Sequence, residues 1–140
     1  MLLALLEENE KHPLVLFEVG GSYDVLGDEE KAIPYYRRAV SAGLEGEDLQ
    51  ECLICLGNTL GIVGELDESV TVLESARKQF PDKPSTRIFL ALAYHYNNQP
   101  DDAVGTLLDV ILHTSEDPDI QAFAGTLEYY RDELSDVYTD

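Results

Sequence analysis

The chain repeats one internal spacing three times. Val19-Gly20 is followed by Tyr23, then Gly27-Asp28, then Ala32, Tyr36 and Ala39. Leu56-Gly57 is followed at the same offsets by Leu60, Gly64-Glu65, Ser69, Leu73 and Ala76. Leu90-Ala91 is followed by Tyr94, Asn98-Gln99, Ala103, Leu107 and Val110. The second copy starts 37 residues after the first, and the third 34 after the second. Such a chain is one supersecondary unit stacked on itself, each copy burying the face of its neighbour. The extra three residues fall between Gly43 and Asp48, where Gly43 and Gly46 permit a longer loop.

The spacing has a physical meaning. Gly20 or Gly57 on a first helix lets a second helix approach closely. Ala32, Ser69 and Ala103 are the small residues facing that contact, and Tyr36, Leu73 and Leu107 are expected to fill the space beyond it. Gly27, Gly64 and Asn98 sit where the first helix must stop in a left-handed conformation, which Gly adopts freely and Asn tolerates best among the rest. Each copy is therefore a helix, a tight turn and a second helix.

On these residues the sequence resembles the tetratricopeptide repeat, over about Pro13 to Ser115. It departs from the family at the Trp of the first helix, which is Leu16, Leu53 and Arg87 here. The closing Pro survives as Pro81, with Leu44 and Ser115 at the matching positions. The layout of the whole chain is also similar to a group of small bacterial proteins of this kind. The resemblance implies an all-α fold, a right-handed α-α superhelix of three helix-turn-helix repeats. Repeats are expected at 13–46, 50–83 and 84–117, with an N-terminal helix in 1–12 and a C-terminal capping helix in 118–140.

Helices are expected near 1–11, 14–26, 29–42, 49–63, 66–80, 85–97, 100–114 and 119–138. Asp48, Ser85 and Asp117 are candidate N-caps, and Pro100 fits a first turn. Pro34 removes a backbone bond inside its helix and should bend it, unless that helix begins near Glu30. Ile120, Phe123, Leu127, Tyr130, Leu134 and Val137 form an apolar stripe at helical spacing. A stacked array needs such a cap, because an uncovered last pair exposes its core face.

At 140 residues and 44% hydrophobic composition, the chain is long enough to bury a core without disulfides or metals. Its 28 acidic residues against 9 basic ones give a net charge of −19. Nucleic acid and anionic lipid both require clustered Lys and Arg, so neither is expected as a partner. The acid keeps the chain soluble and self-repelling, or attracts a basic partner. The apolar start, Met1-Leu2-Leu3-Ala4-Leu5-Leu6, is too short to span a bilayer and lacks the basic flank of a signal peptide. A cytoplasmic protein is expected.

Cys52 and Cys55 are the only cysteines. A redox pair needs a lowered thiol pKa, yet Glu47, Asp48 and Glu51 surround this one, and acids raise it. Zinc would want four ligands. Two cysteines three apart pack more commonly as small apolar residues; a small thiol-redox or metal-binding protein is the competing function. His12, His95 and His113 are scattered, and His113 suits a helix C-terminus. Asp28-Glu29-Glu30 and Asp101-Asp102 suit helix starts. Glu116-Asp117 and Asp119 lack calcium-loop spacing. No cofactor and no catalytic group are expected.

In the resembled family, positions 2, 5, 9, 12 and 13 of each first helix line an inner groove. Carried over, they are Leu14, Phe17, Gly21, Asp24 and Val25, then Glu51, Ile54, Asn58, Gly61 and Ile62, then Ser85, Ile88, Leu92, His95 and Tyr96. Phe17 and Gly21 stand where carboxylate-gripping relatives carry Lys and Asn, so that clamp is absent. The protein-binding residues this implies are Leu14, Phe17, Asp24, Val25, Ile54, Asn58, Ile62, Ile88, Leu92, His95 and Tyr96. The groove is apolar. Either the C-terminal helix or a second copy covers it, or it docks an amphipathic protein segment, with basic flanks favoured by the acidic rim. Together with Leu2, Leu3, Leu5 and Leu6, it also suggests a homodimer.

Overall fold

The computed structural model describes residues 2–8 and 10–136; Met1 and Val137, which the sequence placed in terminal helices, lie outside them. The elements are α1 (Leu2–Glu8), α2 (Pro13–Val25), α3 (Glu29–Ser41), α4 (Gly46–Ile62), α5 (Leu66–Gln79), α6 (Pro84–Tyr96), α7 (Pro100–Thr114), α8 (Pro118–Gln121) and α9 (Ala124–Leu134). The described residues contain helices and no strand. Helices α2 and α3, α4 and α5, and α6 and α7 pack as pairs, and each pair stacks on the next through α3 on α4 and α5 on α6. The architecture is an all-α helical-repeat solenoid.

The turns within the pairs share one hydrogen-bond pattern. Gly27 N–H donates to Asp24 C=O and Asp28 N–H to Tyr23 C=O; Gly64 and Glu65, then Asn98 and Gln99, repeat both bonds. These are the two bonds of the Schellman motif, which satisfy orphan helix carbonyls. They require a left-handed residue, and Gly27, Gly64 and Asn98 have φ of 76°, 91° and 61°.

Gly20 and Gly57 set the helix crossings. A Cβ on Gly20 would lie 2.8 Å from the Tyr36 ring. Ala32, Ser69 and Ala103 are buried beside these crossings, and Ser69 Oγ donates to Gly57 C=O at 2.6 Å. The third copy differs. Leu107 does not fill the matching space but remains exposed; Ala91 brings its own methyl where the other copies have glycine.

Several boundaries differ from the sequence reading. Helix α4 opens on Gly46, so Asp48 lies inside it and Glu45 is its N-cap. Ser85 lies inside α6, whose N-cap is Lys83 and whose first residue is Pro84. Asp117 does cap, accepting from Asp119 N–H at 2.9 Å. Helix α3 starts at Glu29, so Pro34 remains interior, on the exposed side of the helix.

The C-terminal stripe is not one helix. The chain turns at Ala122 and Phe123 between α8 and α9, with Phe123 N–H bonded to Ile120 C=O. Phe123 and Tyr130 are exposed, whereas Ile120, Leu127 and Leu134 of the same stripe are half-buried, and α9 packs on α7. A Cβ on Gly105 would lie 2.7 Å from Ser135 Cβ, so glycine again permits the approach. Arg131 Nη1 lies 3.1 Å from Asp109 Oδ1, and Arg87 Nε lies 3.5 Å from Asp109 Oδ2. His113 Nδ1 lies 3.3 Å from the same carboxylate. One buried carboxylate therefore ties α6, α7 and α9 together.

Candidate functional site

Curvature follows from which helices touch. The first helices of successive pairs are neighbours, α2 with α4 and α4 with α6, whereas the second helices stand further apart. The first helices thus form the inner layer of a curved stack. Two hollows open on that inner face.

One lies between α4 and α6, over the start of α5. It encloses about 460 Å³ and is lined by Asn58, Gly61, Ile62, Leu66, Ser69, Phe89, Leu92, Ala93 and Tyr96. No charged side chain lines it. Ile62 and Tyr96 are 66% and 69% exposed, so its apolar wall faces water in the free chain. The other lies between α2 and α4, encloses about 650 Å³, and is lined by Phe17, Gly21, Ser22, Val25, Leu26, Tyr36 and Cys55 together with Glu18, Asp48 and Glu51. Its charges are all negative.

The eleven residues named from the sequence divide accordingly. Asn58, Ile62, Leu92 and Tyr96 come together in the first hollow, and Phe17 and Val25 in the second. Asp24 adjoins the second, accepting a 2.8 Å hydrogen bond from the Tyr36 hydroxyl. Phe17 and Ile54 are partly buried and pack on the core clusters, Phe17 with its ring 6.0 Å from that of Tyr36. Leu14, Ile88 and His95 are exposed and line neither hollow; His95 packs edge-on against Tyr96 at 5.1 Å.

Sequence reasoning missed Leu66 and Ser69, which reach the hollow from a second helix, and Phe89, Ala93, Glu18 and Cys55. The last four each neighbour a named position in sequence, and an open helix face is wider than the residues pointing straight into it. The C-terminal helix leaves these walls open. It packs on α7, the outer helix of the last pair.

The two cysteines occupy different settings. Cys52 is buried, its Sγ near the Tyr36 carbonyl. Burial, then the neighbouring Cys55 and Glu51, push its pKa up to about 12. Cys55 borders the second hollow, and burial followed by the charges of Asp24 and Glu51 raises its pKa as well. Burial also holds the Tyr36 phenol well above its ordinary range, with the bond to Asp24 adding to the effect, so it remains a donor. Among the described residues, no three His, Cys, Asp or Glu side chains gather as metal ligands. No helix among them is long and apolar enough to cross a membrane.

Comparison with known families matches residues 13–131 to the model described as Tetratrico peptide repeat. Comparison with curated proteins returns no match.

Proposed function

Because the chain belongs to the tetratricopeptide-repeat family, whose members mediate protein–protein interaction, we propose that it is a non-enzymatic cytoplasmic module that holds a protein segment along the concave face of α2, α4 and α6. The observation that carries this reading is the uncharged hollow whose walls, Ile62 and Tyr96, stand open to solvent. Exposed apolar concavities of this kind favour an apolar anchor side chain. The adjoining hollow, with Glu18, Asp48 and Glu51, favours a basic side chain on the same segment. An amphipathic helix or extended peptide with Lys or Arg beside a bulky apolar residue has that chemistry.

The thiol-redox alternative is less well supported, because both thiols are held in their protonated, unreactive form. The test is a peptide array read by fluorescence polarisation. Binders should pair a bulky apolar residue with a basic one, and Tyr96→Ala should abolish binding while circular dichroism stays unchanged. Binders lacking that pairing, or binding untouched by Tyr96→Ala, would place recognition elsewhere.

A further inference from the structure

The two hollows of the inner face differ in charge. The one between α4 and α6 has no charged lining. The one between α2 and α4 carries Glu18 from the first helix and Asp48 and Glu51 from the second. Among the described residues, no Lys or Arg side chain lines it. Elsewhere the acids of this chain find cations close by: Glu68 pairs with Arg37, Glu47 with Lys83, and Asp109 with Arg87 and Arg131. Among the described residues, none of the three carboxylates of the hollow has such an ion pair. Their field reaches the thiol at the rim, where burial and then the charges of Asp24 and Glu51 raise the pKa of Cys55.

Gly21 opens this hollow. A Cβ built on it would meet nothing within 4 Å. The matching positions of the other two first helices hold side chains, Asn58 on α4 and Leu92 on α6. Glycine inside a helix is destabilising, and no close crossing demands it here, in contrast to Gly20 and Gly57. What the missing side chain provides is space, within a void of about 650 Å³. The void has two kinds of wall. Phe17, Val25 and Leu26 on α2 are apolar, while the carboxylates stand on both helices. A long side chain with an apolar stem and a cationic head matches both. Carboxylates on two sides favour a guanidinium, which spreads its N–H donors around a planar fork, over the compact point charge of an ammonium.

Resting on the protein-binding reading above, we propose that Gly21 is the specificity-determining residue of the groove: it opens a slot between α2 and α4 that takes one arginine side chain of the held segment. The stem lies along the apolar wall of α2 and the guanidinium meets Glu18, Asp48 and Glu51. The bound segment thereby gains a direction. Its arginine sits over the first two repeats, and its apolar anchor sits in the uncharged hollow over the last two. Added salt screens the contact and weakens it.

Nuclear magnetic resonance titration of the isotope-labelled full chain tests the two hollows separately. Acetyl-arginine amide probes the acidic hollow and acetyl-phenylalanine amide the uncharged one. Acetyl-norleucine amide supplies a stem without charge, and acetyl-lysine amide a different head. The arginine probe should give saturable shifts at the amides of Gly21, Val25, Glu51 and Cys55, smaller in high salt. The norleucine probe should give none there, and the lysine probe should bind more weakly. Gly21→Leu fills the slot and should raise the dissociation constant of the arginine probe about ten-fold or more. Asp48→Asn combined with Glu51→Gln should raise it about five-fold or more, which keeps the test independent of how Gly21→Leu folds. No saturable shift, shifts spread over the whole acidic surface, lysine binding as tightly as arginine, or variants that bind like wild type would each overturn the slot. If the phenylalanine probe moves Ile62 and Tyr96 while the arginine probe leaves Gly21 unmoved, the slot falls and the protein-binding reading stands. If the arginine probe binds as expected and the phenylalanine probe moves nothing, the slot stands and the apolar anchor falls.

Discussion

Gly57 lies directly beneath Leu73: a Cβ on the glycine would sit 2.5 Å from the leucine Cγ, closer than real Cβ contacts come. Leu73 is fully buried, so it has nowhere to retreat. Gly57→Ala should therefore destabilise by about 1–3 kcal/mol, despite alanine's better helix propensity. Gly125→Ala is the control, since nothing lies within 4 Å of its added Cβ; it should be neutral or stabilising. Urea unfolding of both variants checks the pair.

Asp109→Ala should detach the C-terminal helix. The substitution leaves Arg87 and Arg131, both largely buried, without their shared carboxylate. Breaking a buried pair by removing one partner costs about 3–5 kcal/mol. Loss of amide protection in α9 and at the end of α7, read by hydrogen exchange, is the expected signature, with protection in α4 and α5 retained.

The thiols give the chain an alkaline limit. Cys52 ionises near 9.0 when unfolded but only near 12 when folded. The unfolded state therefore releases its proton first. Below pH 9 this group contributes fully to stability; between about 9 and 12 that contribution is lost, at about 1.4 kcal/mol per pH unit. The raised pKa of Cys55 acts in the same direction. Thermal melts across this range should show the fall, and Cys52→Ala should make it shallower. Thiol labelling of the native chain at pH 7.5 should be slow at Cys52.

Phe17→Ala and Tyr96→Ala should separate core from groove. Phe17 packs on Tyr36 and the first core cluster, so its truncation should cost roughly 3 kcal/mol or more of stability. Tyr96 is mostly exposed at the edge of its hollow. Its truncation should leave the unfolding free energy within about 0.5 kcal/mol of wild type. Guanidinium unfolding of the two variants side by side distinguishes them.

The repeat was legible because its constraints are local and steric. A left-handed stop admits Gly or Asn, and a close crossing demands Gly or Ala, so Gly27, Gly64, Asn98, Gly20 and Gly57 announced both. What depends on the neighbour across the interface was not legible. Leu107 occupies the position of Leu73, yet it is 40% exposed among the described residues, and its own spacing does not show that difference. The C-terminal stripe suggested burial of Phe123 and Tyr130, which are exposed; Leu127 and Leu134 of the same stripe are half-buried, and Ser135 and Arg131 add a small and polar part of the contact that no hydrophobic period could show. Of the groove positions carried over from the family, Asn58, Ile62, Leu92 and Tyr96 line the first hollow and Phe17 and Val25 the second. They missed the wall supplied by Leu66 and Ser69, because those belong to a second helix.

The offset of 37 residues between the first two copies, against 34 between the next two, leaves the crossings undisturbed. Helix α4 begins at Gly46, four residues before the position that matches Pro13 and Pro84. The inserted length is thus wound into one extra turn of helix rather than a bulging loop, since a turn takes about 3.6 residues. That turn is anchored, with Glu47 paired to Lys83 at 3.0 Å and Gln50 bonded to Thr86. The junction between the first two repeats therefore takes up its added length as helix while Gly57 still seats against Leu73, so a repeat of this kind can be lengthened at its entry without disturbing its own helix crossing.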